Sequence, residues 1–150
     1  MKLAEALQAR ADLNRQIEQL AQRLTANVLV QQGEQPNEDP EELLAELDRS
    51  LDSLEELIRR INLTNSQVMV GDQTLTALMA RRDVLAKKIE IYKRAAQQAS
   101  SNTSRASGTE IKVLPALKVK DLQKQIDKLA KAYRELDNTI QQTNWSTELK

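Results

Sequence analysis

The chain reads as all-α, with four long amphipathic helices in an antiparallel bundle or coiled-coil arrangement, and three observations carry that reading. Apolar residues recur at alternating spacings of three and four in four separate stretches, which lays an oily line along one face of each helix. Aromatic residues make up only 2 % of the chain and Phe is absent, so the core must be built from Leu, Ile, Val, Ala and Met, as in many helical bundles. At 150 residues and 40 % hydrophobic, the chain can bury one modest core, which predicts a single helical domain over residues 1–150.

The first helix is expected over residues 2–26, with Leu3, Ala6, Arg10, Leu13, Ile17, Leu20 and Leu24 on its line. Asn27 to Gln32 then carries Val28 and Val30 at alternate positions before Gly33, a pattern that predicts a short strand or extended connector. Asp39, Pro40 and Glu42 form an N-cap, a first helical position and an acid three residues past the cap, so a second helix starts there. It carries an unbroken heptad series, Leu44, Leu47, Leu51, Leu54, Ile58 and Ile61, widened by Leu43, Leu57 and Leu63. A polar turn is expected over 62–66. Val68-Met69-Val70-Gly71 repeats the earlier extended pattern near 67–71, and the two short edges could pair as an antiparallel ribbon.

A third helix is expected over 74–99, with Leu75, Leu78, Arg82, Leu85, Ile89, Tyr92 and Ala96 on its line. Ser100 to Gly108 has the small polar composition of a linker, and residues 110–114, stopped by Pro115, read as a third short extended piece. The fourth helix, over 118–143, has the cleanest heptad: Val119, Leu122, Ile126, Leu129, Tyr133, Leu136 and Ile140. The following tail brings the one Trp, Trp145, expected to pack its ring on a neighbouring helix end while its indole N–H finds an acceptor.

Charge and composition narrow the function classes. Residues 1–75 carry 7 basic and 14 acidic side chains and residues 76–150 carry 15 and 8, so a net charge of zero conceals two oppositely charged halves. Such a chain either neutralises itself or sets one subunit's acidic half against another's basic half. The basic helices lack a clustered Lys/Arg run and interleaved aromatics, so no obligate nucleic-acid partner is implied. Absence of Cys and His removes thiolate chemistry, the usual zinc ligand and the usual neutral-pH proton carrier. Neither a nucleophile–base arrangement nor a phosphate-cradling glycine loop can be read out. The chain is therefore read as non-enzymatic, with no catalytic residues, no cofactor and no metal. Charges scattered through the first helix, and the lack of an 18-residue apolar run, point to a cytoplasmic protein without a transmembrane segment.

Arg10 and Arg82 occupy matching positions on the lines of helices one and three. A guanidinium in an apolar seam must reach a carboxylate or extend to water. Asp12 and Asp83 lie nearby in sequence, and Glu46, Asp48 and Asp52 are cross-helix candidates. A polar layer that sets helix register or subunit pairing is the favoured reading, beside simple snorkelling and a small-anion pocket on the two arginines. A second polar group, Arg59, Arg60, Asn62, Thr64 and Asn65, ends helix two. It reads first as end-capping, and second as an intersubunit or ligand contact.

Six segments in order along the chain, Met1-Lys2-Leu3-Ala4-Glu5-Ala6-Leu7, Gln32-Gly33-Glu34-Gln35-Pro36, Ile61-Asn62-Leu63-Thr64-Asn65, Ala80-Arg81-Arg82-Asp83-Val84-Leu85, Glu110-Ile111-Lys112 and Asn144-Trp145-Ser146-Thr147-Glu148-Leu149, resemble an uncharacterised bacterial family often labelled septicolysin. The resemblance implies a helical protein of unknown function and supplies no catalytic residues. The label implies a membrane-disrupting cytolysin, but the chain shows no hydrophobic hairpin and no aromatic-rich insertion surface. The reading that follows is a self-associating helical scaffold or interaction protein, expected to form a homo-oligomer and with room for an unknown protein partner. The alternatives are a membrane-active protein and a nucleic-acid or regulatory binding module.

Overall fold

A computed structural model describes residues 1–101 and 112–150. The chain is all-α: four long helices, α1 (Leu3–Asn27), α2 (Pro40–Gln67), α3 (Leu75–Ser100) and α4 (Val119–Ser146), with one two-stranded hairpin, β1 (Met69–Val70) and β2 (Gln73–Thr74), between α2 and α3. The residues form two compact units, Met1–Thr74 with Gln142–Lys150, and Leu75–Gln141.

In the first unit α1 and α2 run antiparallel. Arg23, near the end of α1, reaches Glu38 just ahead of α2, and Met1 and Leu13 line one groove with Arg60 and Leu57. The start of α1 is held by the far end of the chain. Leu3 N–H donates to the Thr147 carbonyl at 2.9 Å and Leu149 N–H to the Met1 carbonyl at 2.9 Å, forming an antiparallel bridge between Lys2 and Glu148. One amide at the open N-terminus of α1 is thereby satisfied by the tail, while the Glu5 carboxylate accepts from Lys2 N–H at 2.7 Å. Asp39 caps α2 as expected, its carboxylate accepting from Glu41 N–H at 2.9 Å with Pro40 behind it.

Several expectations need correction. Of the two forms open to the segment after α1, a strand or a connector, residues 28–31 take the connector: α1 continues to Asn27, Val28 is in the right-handed helical region, and the ribbon between the two β-branched segments does not form. Asn27 explains the ending, because its side-chain amide donates to the Arg23 carbonyl at 2.7 Å while its oxygen accepts from Glu38 N–H at 3.0 Å. Met69–Val70 instead pairs with its sequence neighbour Gln73–Thr74, in the register Met69 to Thr74 and Val70 to Gln73. Gly71, at φ +65°, supplies the positive dihedral of that tight two-residue turn. Residues 62–66 are helical rather than a turn, since the Thr64 hydroxyl returns to the Arg60 carbonyl at 2.8 Å and Val68 N–H closes on the Thr64 carbonyl at 2.9 Å. Residues 112–114 are irregular, while 110 and 111, like most of the linker expected over 100–108, lie outside the described residues; Ser100 belongs to α3. Trp145 sits in the last turn of α4 with 59 % of its surface exposed, and the tail residue that packs is Leu149, at 8 %.

The apolar lines of α1, α3 and α4 turn inward as their spacing requires. Leu3, Ala6 and Leu20 are buried on α1, Leu75, Leu78 and Ala96 on α3, and Ile126 and Ile140 on α4. Helix α2 differs. Leu43 (3 %), Ser50 and Ile61 are buried, whereas the heptad residues Leu44 (46 %), Leu51 (44 %) and Ile58 (36 %) are exposed. The buried line runs through 43, 47, 50, 54, 57 and 61, about one position round from the expected seam. Both lines share Leu47, Leu54 and Ile61, so three-and-four spacing fits either.

Candidate interaction surfaces

The conspicuous cross-helix ion pair of the second unit is built on one of the two seam arginines. Arg82, on the inward line of α3, donates from Nη1 to Asp137 of α4 at 3.1 Å and sits 3.4 Å from its neighbour Asp83. Burial disfavours the guanidinium charge, but hydrogen bonds to Asp137 and Asp83 outweigh that cost and hold its pKa above the ordinary value. With the residues around 95–101 of α3 lining a groove with 112–117 ahead of α4, this contact sets the two helices antiparallel. Asp137 was not singled out from sequence, although it lies four residues after Tyr133 and three before Ile140. An acid at that spacing was the signal that could have found it.

The other seam arginine is placed differently. Arg10 is half-buried in the first unit and makes no ion pair among the described residues; the structure does not join it to Asp12, which pairs with Arg15, nor to the acids of α2. Arg59 is held at the surface by Glu56 through two hydrogen bonds, 2.8 and 2.7 Å. Asn62 is exposed and Asn65 is buried. Between them Thr64, fully buried, accepts from Lys150 N–H at 3.0 Å, while Arg60 Nε donates to the Lys150 carbonyl at 2.8 Å. This polar group fastens the last residue to α2, a tertiary contact with no sequence signal.

The clasp of the chain's two ends is also electrostatic. Glu148 meets the Lys2 ammonium and, at 3.3 Å, the Met1 amino group. Hydrogen bonds from Lys2 first and the amino terminus second hold its carboxyl below the usual carboxylate range. A lowered folded-state pKa contributes stability that is present above the unfolded carboxylate value, about 4.3, and is lost as pH falls through the lowered value. Thermal melts down an acid series should therefore show Glu148→Gln shrinking the stability lost below about pH 4.3 relative to the unmodified chain. Identical acid limbs would show that the clasp contributes nothing, and added salt should narrow the difference because the group is exposed.

Among the described residues no cluster of three or more acidic side chains is arranged to hold a metal ion, and no helix is long and apolar enough to cross a membrane. What stands out is exposed apolar surface in ordered positions: Leu44, Leu51 and Ile58 on α2, and Val84 (68 %) and Ile91 (45 %) on α3.

The model of a family of unknown function (DUF6847) matches residues 10–149. A crystal structure of a functionally unknown conserved protein from Corynebacterium diphtheriae is similar at 40 % sequence identity and a TM-score of 0.92, over 100 % of this chain and 99 % of that one. No curated protein matches.

Proposed function

The chain belongs to this family of unknown function, DUF6847, and we propose that it acts as a non-catalytic scaffold that associates with further copies of itself. The observation that carries this reading is the line Leu44, Leu51 and Ile58, three large apolar side chains at successive heptad positions, each at least 36 % exposed. Singly exposed leucines are ordinary, but a regular row along two turns of spacing is the form in which a helix presents itself to another helix. The long helices supply a stiff frame for it, and the polar groups found at their ends serve to pin those ends.

The absolute mass in solution, measured by light scattering from nanomolar to high micromolar protein, tests the reading. Mass rising to an integral multiple of the chain mass is expected, and a monomer throughout would overturn it. The septicolysin-like resemblance brings a competing expectation of membrane disruption, which requires the same leucines to enter lipid. The acids along α2, among them Glu41, Glu42, Asp48, Asp52 and Glu55, oppose approach to anionic bilayers. Leakage from neutral or anionic vesicles at concentrations where the protein remains monomeric would favour the membrane reading over the scaffold.

A further inference from the structure

Two exposed faces of this chain have the same repeat and opposite charge. On α2 the residues Leu44, Asp48, Leu51, Glu55 and Ile58 follow one another at spacings of four, three, four and three, so the two acids fall between the apolar side chains on a single line. On α3 Arg81, Val84, Lys88 and Ile91 follow at three, four and three, so two bases alternate with two apolar side chains in the same way. All nine side chains are exposed. None of Asp48, Glu55, Arg81 and Lys88 forms an ion pair among the described residues; Lys88 only lies over the ring of Tyr92, 5.5 Å from its centre. The acids are seven residues apart and so are the bases, about 10.5 Å along a helix in each case.

We propose that the acidic line of α2 in one copy docks on the basic line of α3 in a second copy, with Asp48 and Glu55 meeting Arg81 and Lys88 while Leu44, Leu51 and Ile58 cover Val84 and Ile91. The inference rests on the self-association just proposed and names the surfaces that perform it. A second copy is the fitting occupant because the complement to each face, in repeat, polarity and charge, is carried by the chain itself. Opposite charges between apolar positions select this pairing over α2 on α2 or α3 on α3, each of which would set like charges against each other. Its acids come from the acidic half of the sequence and its bases from the basic half. Unlike faces meeting in this way either close into a ring or propagate, according to the rotation between copies.

Two charge-reversed chains test it, Asp48→Lys with Glu55→Lys, and Arg81→Glu with Lys88→Glu. Each alone should weaken self-association at least about tenfold in light scattering, because both of its lines then carry one sign. An equimolar mixture should recover the mass of the unmodified assembly, since the reversed α2 of one complements the reversed α3 of the other. Recovery also shows that both variants are folded. Reversed chains that associate as the unmodified chain does, or a mixture that fails to recover, would overturn this pairing while leaving self-association through another surface. An unmodified chain that is monomeric at every concentration would remove both proposals together.

Discussion

Leu43→Ala should lower the unfolding free energy by about 2–5 kcal/mol, whereas Leu44→Ala, one residue away, should cost less than about 1 kcal/mol. The two leucines are chemically identical and share a helix, but Leu43 is 3 % exposed and Leu44 is 46 % exposed. Truncating the first removes most of its apolar contact and leaves a cavity that long helices cannot easily collapse. Truncating the second removes surface that water already reaches. Urea unfolding at the lowest workable concentration is the measurement, since association of copies would add a separate contribution at Leu44. A heptad seam through Leu44, Leu51 and Ile58 within the chain requires the reverse order, so equal costs, or a larger cost at Leu44, would rule out the burial pattern of α2 described above.

Leu149→Ala should cost about 2–4 kcal/mol and Trp145→Ala less than about 1 kcal/mol. A buried leucine held between hydrogen bonds from its neighbours is expected to matter more than the largest side chain in the protein. Leu149 is 8 % exposed, its N–H is taken by the Met1 carbonyl, and the residues on either side engage Lys2 through Glu148 and Thr64 through Lys150. Losing its side chain weakens the packing that keeps those polar contacts in register, and the N-terminal amide of Leu3 is exposed with it. Thermal or urea unfolding ranks the pair, and hydrogen exchange should show faster exchange at Leu3 in Leu149→Ala alone. Trp145, mostly in solvent, has little packing to lose; a large destabilisation at Trp145 would show that its indole is a core element after all.

The four helices could be read from the chain because each declares its period several times over. Asp39 and Pro40 mark the start of α2 by local chemistry, and that start needs no tertiary partner to be recognised. The inward faces of α1, α3 and α4 were likewise legible, since on each the longest apolar line is the one that turns inward. The short segments were not. Val28-Leu29-Val30 and Val68-Met69-Val70 have nearly the same pattern, yet one is an irregular connector and the other a strand. The difference is Gly71, whose positive φ brings Gln73 and Thr74 back alongside, and Asn27, whose side chain commits the first segment to ending a helix. Of the polar candidates, Arg82 was recognisable as a charge needing a partner. Its partner Asp137 lies 55 residues away on another helix; periodicity places that acid beside the inward line of α4 but does not say which arginine it meets.

What the sequence determined by itself is the class of the protein: long amphipathic helices and their approximate limits. Those properties depend on interactions within a few turns, and side-chain pattern and caps encode them locally. The tertiary structure alone decided which of two equally periodic faces of α2 is covered, which carboxylate meets Arg82, and which tail residue locks onto the start of α1. Each is a choice among partners far apart in the chain, made by shape and by the need to satisfy polar groups once water is excluded.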